Sequence, residues 1–313
     1  MLAAFFLCAL VAAKEPWTVV IDPGHGGYQP GAKAGDGKYE KHLTLEVAQR
    51  LKRALVDKGF TVWLTRDGDK YVSLGGRSRF ANEKHADVLV SIHANDSANA
   101  AANGIETYFL AANASDKDAE ALAEKENDDP HGDDDDRDLL GTILSDLRRT
   151  NAQIESELLA TRVQGAVIHG TDAKSRGVKR APLAVLKRTE MAAVLVEIGF
   201  LTHKEERARL WSDAYQDQLA AGLAAGVERF LTDVQSGSAP EIPPVSEAPY
   251  VSLDRKKALT KTKPAVAGKK KPVAAKKAAK TKIAAKNVPK NLTAKKKKPP
   301  RPIAMSRPSH AAR

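Results

Sequence analysis

Val19-Val20-Ile21-Asp22-Pro23-Gly24-His25 carries an apolar run into a histidine flanked by glycines. Two further stretches end in the same way: Val88-Leu89-Val90-Ser91-Ile92-His93 and Val194-Leu195-Val196-Glu197. In each, β-branched and aliphatic residues predict a buried strand with an imidazole or a carboxylate at its C-terminal edge. Open α/β sheets bind ligands beyond the carboxyl ends of their strands. Two imidazoles and a carboxylate at that edge imply a zinc hydrolase. Catalytic zinc takes three protein ligands and keeps a fourth position for water.

Outward from these runs, strands are predicted at 17–22, 60–65, 87–93, 104–110, 183–186 and 193–198. Helical periodicity lies between and after them. Leu43, Val47, Leu51, Ala54 and Leu55 form one apolar face; a shorter helix is expected at 77–84. Ile143, Leu147, Ile154, Leu158, Val163 and Val167 mark a long helix, and Tyr215, Leu219, Leu223, Val227 and Phe230 a final one. Alternating strands and helices predict an α/β domain with a mostly parallel sheet. Residues 111–141 interrupt this rhythm with an Ala/Glu-rich stretch and then a run dominated by aspartates. Such an insertion is longer than an ordinary connection, and is expected to be either functional or a disordered excursion.

The chain of 313 residues has a formal charge of +11, which describes neither of its parts. Residues 251–313 hold 21 Lys and Arg against the single acid Asp254, which leaves 29 basic and 38 acidic residues before them. The front, about −9, is long enough for one domain with a sizeable core. The Lys/Ala/Pro-rich tail is too poor in apolar bulk to offset its ordering entropy and is predicted to be disordered. A linker rich in Pro, Ser and Glu is expected at 236–250, and the domain itself at 14–235. The tail would bind anionic wall or membrane polymers by counterion release. It lacks the interleaved aromatics of a single-strand binder, so no specific nucleic acid is expected.

Residues 1–13 are apolar, end in small residues, and are too short to span a bilayer. They read as the core and cleavage site of a signal peptide, cut after Ala13, which places the protein in the periplasm or cell envelope. The basic start of such a leader is missing, which leaves room for a start codon upstream. Leu7 precedes Cys8, the only cysteine, where a lipoprotein signal wants a small residue, and this argues against lipidation. Loss of the leader would leave no thiol and no disulfide.

His25, His93 and one carboxylate satisfy the zinc count, and Glu40 is the best carboxylate. It follows a loop containing Gly24, Gly26, Gly27, Gly31, Gly35 and Gly37 and precedes a helix expected to start near His42. Glycines let that loop fold back and return Glu40 to the strand edge. Taken alone, Glu40 also suits a first helical turn, where the dipole favours an acid. Glu197, between Val194-Leu195-Val196 and Ile198-Gly199-Phe200, would be costly to bury without a partner. It is the candidate general base. His42, His85, His131, His169, His203 and His310 lack a strand-edge setting and are expected at the surface.

Four blocks now stand in order: residues 20–27, Glu40-Lys41, Ser91-Ile92-His93-Ala94-Asn95 and Val196-Glu197-Ile198-Gly199-Phe200-Leu201-Thr202. Together, over roughly residues 17–232, they resemble the zinc-dependent N-acetylmuramoyl-L-alanine amidases of the bacterial cell wall, the amidase-3 family. The resemblance implies a single three-layer domain whose sheet has about six strands flanked by helices. It implies zinc on His25, Glu40 and His93, with Glu197 catalytic. The implied reaction cleaves the amide between N-acetylmuramic acid and the L-alanine of the peptidoglycan stem, in wall remodelling and cell separation. In cell-division members of the family a helix between the same elements plugs the site until an activator protein displaces it. The insertion resembles that plug, and Glu124 is the candidate carboxylate for an autoinhibitory zinc contact. Two other readings compete: a different zinc metallopeptidase acting on wall peptides, and a polyanion-binding protein using its tail.

Overall fold

The structure, a computed structural model, describes residues 16–35, 37–129 and 142–237. The expected leader with Cys8, the acidic run at 130–141 with His131, the linker beyond Gly237 and the basic tail with His310 lie outside the described residues. Among the described residues, eight strands and seven helices follow one another: β1 (Thr18–Pro23), β2 (Lys33–Gly35), β3 (Lys38–Tyr39), α1 (Glu40–Val56), β4 (Thr61–Leu64), α2 (Leu74–Glu83), β5 (Val88–Asn95), β6 (Ile105–Leu110), α3 (Lys117–Glu126), α4 (Thr142–Thr171), β7 (Ser175–Ala181), α5 (Ala184–Lys187), β8 (Ala192–Phe200), α6 (Lys204–Leu210) and α7 (Asp213–Ser236).

Six strands form one sheet in the order β4-β1-β5-β8-β6-β7. All neighbours are parallel except β6 and β8, which are antiparallel. The expected three-layer α/β architecture is thus what the chain adopts. β5 and β8 are buried at every position, as strands covered on both faces should be. Val19, Ile21, Val90, Ile92, Val194 and Val196 pack with α1, α4 and α7 on one face. Val20, Leu89, Ala193 and Leu195 pack with α2, α3 and α5 on the other. Period-2 alternation therefore puts Asp22, Ser91, His93 and Glu197 on the α2/α3/α5 face. No helix among the described residues is long and apolar enough to cross a membrane.

One expected strand is misplaced. Residues 183–186 begin the short helix α5, and the edge strand is β7, eight positions earlier in the chain. Pro182 lacks an N–H to donate, so the ladder stops at Ala181. The apolar side chains of Val185 and Leu186 then sink into the core under the sheet.

α4 and α7 meet along a seam that only glycine permits. A Cβ on Gly226 would lie 2.6 Å from Val163 Cα, and one on Gly222 2.8 Å from Val167 Cα. Gly226→Val should therefore lower stability by about 1–3 kcal/mol through overpacking. Gly165, with open space around it, should accept Ala without loss. Urea midpoints of the two variants test this; an unshifted Gly226→Val midpoint would mean the helices can part at little cost.

Candidate metal centre

β1 leads through Gly24 into His25, whose φ of 60° is a left-handed conformation rare for a residue with a side chain. Two buried arginines hold this turn. Arg66 donates to the carbonyls of Pro23, Gly24 and Lys41 at 2.9, 2.8 and 2.8 Å. Arg77 donates to the carbonyls of Pro23 and His25, both at 2.8 Å. Burial, with Arg77 close by, lowers the Arg66 pKa to about 10, which still leaves it charged at neutral pH. Arg77 also pairs with Asp22 at 2.7 Å.

Asp22 gives a pH signature for this clamp. Burial alone would raise its pKa, but Arg77 and hydrogen bonds from Thr65 and Ser91 bring it below 3.8. Folded Asp22 thus binds its proton less readily than unfolded Asp22. Its stabilisation is complete above the unfolded value and is lost as pH falls through the lower folded one. Denaturation midpoints should show Asp22→Asn less stable than the parent at neutral pH, with the gap closing below about pH 3.8. A constant gap would assign the clamp to shape and not charge.

The glycine-rich loop returns as expected. β2 and β3 form a hairpin, and Glu40 opens α1 with its N–H on the Ala32 carbonyl at 2.8 Å. Glu40 accepts hydrogen bonds from the Ala32 N–H at 2.9 Å and the Ala94 N–H at 3.0 Å, which fixes its carboxylate. β5 brings His93 beside it, two residues before the strand ends. Glu40 Oε1 is 3.0 Å from His25 Nε2 and 3.2 Å from His93 Nδ1. Both ring nitrogens are buried and neither is aligned for a hydrogen bond. The imidazoles stand edge to face, 4.9 Å apart at an interplanar angle of 72°. A Cβ on Gly24 would lie 2.5 Å from the His93 ring, so the glycine makes room for it.

Glu197 lies in register with His93 on one side and Glu106 on the other. Both of its carboxylate oxygens are buried without a hydrogen-bond partner. Burial pushes its pKa well above the usual carboxylate range; His93 opposes this, and the negative Glu126 and Glu40 add to it. The structure therefore gathers His25, Glu40, His93 and Glu197 as the sequence expected. Of the remaining histidines among the described residues, His85 and His169 are exposed, and His42 and His203 are half-buried.

Glu124 is not in this group: it is exposed on α3. Glu126 is there instead, its Oε2 3.0 Å from His93 Nδ1 and 3.5 Å from His25 Nε2. The reason is helical phase. α3 buries Ala119, Leu122, Ala123 and Glu126, the i, i+3, i+4, i+7 stripe, and Glu124 falls off it. Burial would raise the Glu126 pKa, but the charge of His93 beside it brings it down. The next residues pin the helix end. Asn127 donates to the Pro182 carbonyl at 2.9 Å and accepts from the Ala184 N–H at 2.7 Å. Asp129 accepts from the Tyr71 hydroxyl at 2.7 Å.

Two groups of three could hold an ion among the described residues: His25, Glu40 and His93, and His93, Glu126 and Glu197. Their ligand atoms lie within 4.8 Å of one another. Carboxylates converge there with two buried imidazole nitrogens that have no hydrogen-bond partner, a donor set that a divalent cation would complete. The first group has the nitrogen and oxygen donors that zinc prefers.

Acid–base groups around a candidate metal site at the carboxyl edge of an α/β sheet define a hydrolase. Residues 19–229 match the family model described as N-acetylmuramoyl-L-alanine amidase. The chain is 35% identical over 214 residues to the N-acetylmuramoyl-L-alanine amidase AmiA of Escherichia coli (strain K12), covering 67% of this chain and 74% of that protein. It is 32% identical over 224 residues to the amidase AmiC of Neisseria meningitidis serogroup B, covering 68% of this chain and 52% of that one. A crystal structure of the amidase from Clostridium difficile 630 superimposes with a TM-score of 0.54 at 32% identity, covering 69% of this chain and 97% of that one. The chain belongs to the N-acetylmuramoyl-L-alanine amidase family; it is a peptidoglycan amidase.

Proposed function

We propose that the chain uses zinc, held by His25, Glu40 and His93, to cleave the amide between N-acetylmuramic acid and the L-alanine of the stem peptide, and that α3 holds it inactive. The observation that carries this reading is the pair of buried imidazole nitrogens, without hydrogen-bond partners, that converge on one oxygen of Glu40. Zinc in such a site acts as a Lewis acid on the carbonyl and lowers the pKa of water it binds. The chain does the rest. Glu197 accepts the water proton on its carboxylate and passes it to the departing alanine nitrogen. Arg66 and Arg77 keep the His25 turn from relaxing, and Glu40, fixed by two backbone N–H groups, keeps the ligand set in place.

Inhibition by α3 is supported by the space that remains. The cavity lined by His25, His93, Lys125 and Glu126 has a volume of only about 150 Å³. Pockets for drug-sized ligands run to about 300–1,000 Å³, and a muramyl peptide is at least that large. An activator would have to bind the open state better than the closed one. Action on the wall places the protein outside the cytoplasm, in the cell envelope.

The test measures metal and products together. Purified protein should carry one zinc per chain by plasma mass spectrometry, and His93→Ala and His25→Ala should each lose most of it. Full occupancy in both variants would overturn the ligand set. Mass spectra of digested sacculi should show stem peptides with a free L-alanine amine; cuts inside the peptide would instead favour a metallopeptidase.

A further inference from the structure

Beside the centre lies a cluster that the reaction above does not use. Glu106, buried on β6, accepts from the Asn95 side-chain amide at 2.9 Å and from Arg176 Nε at 2.8 Å. Lys179 Nζ lies 3.0 Å from the same carboxylate oxygen that Arg176 meets. The β6–β7 register shifts between Ile105 and Glu106, and this bulge turns Arg176 towards Glu106 alongside Lys179. Two cations thus share one internal carboxylate and keep a surplus positive charge. The surplus is met by α3: Asp118 lies 3.2 Å from Arg176 Nη2, and Asp116 3.4 Å from Lys179 Nζ. The cations are mostly covered, at 19% and 10% exposure, whereas Asp118 and Asp116 are 73% and 47% exposed. The acids are therefore the outer, removable members.

The spacing links this pair to the metal centre. Asp118, Leu122 and Glu126 lie along one side of α3, and eight residues of helix cover about 12 Å. An extended peptide covers the same span in three to four residues at about 3.4 Å each. When α3 leaves, Glu126 vacates the imidazoles and Asp116 and Asp118 vacate the cations together.

We infer that Arg176 and Lys179 form a carboxylate-binding subsite for the acidic stem peptide of the substrate, and that α3 fills it as an internal mimic. This rests on the reading of α3 as the inhibitory element. Glu126 stands where the scissile group goes, Asp118 stands where a carboxylate three to four residues further along the stem goes, and Asp116 lies just beyond it. Arginine suits this task because its fork binds a carboxylate through two N–H groups.

Hydrogen–deuterium exchange of residues 117–126 in the full-length Glu197→Gln protein tests this without consuming the probe. The probe is a muramyl tetrapeptide whose side-chain and terminal carboxylates are free; its fully amidated counterpart is the control. The free acid should speed exchange of α3 and the amide should not. Lys179→Gln should raise the half-maximal concentration of the free acid about tenfold, the loss of one charge-assisted hydrogen bond. Asp116→Asn with Asp118→Asn alters only the acids of α3 and leaves Glu106 paired. It should exchange faster without probe and respond to less of the free acid. It decides the question even if Lys179→Gln fails to fold, and Asn keeps the α3 cap. Equal responses to acid and amide, no response in the starting protein, or unchanged behaviour of the aspartate variant would each overturn the subsite. Failure of the amidase reading would show separately, as products of the unmutated enzyme not cut at the lactyl amide.

Discussion

Glu197→Gln is expected to keep its zinc and lose turnover by roughly 10²–10⁴-fold, the usual worth of a positioned general acid–base group. The substitution is nearly isosteric and Glu197 makes no hydrogen bond that would be broken, so folding should survive it. The carboxamide cannot accept the water proton, and the leaving nitrogen would depart without one. Rate and zinc content must be read on the same preparation. Zinc loss would make Glu197 a ligand, consistent with its place in the second group of three. A near-normal rate with zinc retained would move the proton transfer to another residue.

Glu126→Ala is expected to raise the basal rate of the purified enzyme about 10- to 100-fold. The carboxylate makes an ion contact with His93 at 3.0 Å, and coupling of a segment to a site through such contacts typically amounts to about 1–3 kcal/mol. Removing it shifts the balance between covered and open sites by that amount. The gain should stop short of full activation, because Asn127 and Asp129 still tie the helix end to its neighbours. Release of dye from labelled sacculi reads the rate. An unchanged rate in a folded variant would assign α3 a structural role only.

The parts of this architecture that the sequence displays are those where burial writes a pattern. β1, β5 and β8 are covered on both faces, so their unbroken aliphatic runs stand out, and the residues at their ends locate the site. β7 could not be found this way. Its Arg176, Lys179 and Arg180 look like a solvated loop, and the charges of Arg176 and Lys179 make sense only beside Glu106, seventy positions away. The neighbouring Leu183-Ala184-Val185-Leu186 imitates a strand because a short buried helix and a strand make the same apolar demand. The direction of β6 leaves no trace in its residues, since strand polarity is set by the path of the chain between strands. Glu126 was within reach: the stripe from Ala119 through Leu122 and Ala123 points to it and passes over Glu124.

Only residues 111–116 separate the end of β6 from the start of α3. On the proposed reading of α3, that short tether makes the inhibitor part of the molecule it inhibits. A segment so joined presents itself at an effective concentration in the millimolar range or above, however dilute the enzyme becomes. Inhibition would then ignore protein concentration, and a free peptide copied from α3 would be a feeble substitute at micromolar levels. Soluble muramyl peptides face the same handicap. A polymer wall has an advantage they lack, since neighbouring stems on one strand are also held close and can rebind before the helix reseats.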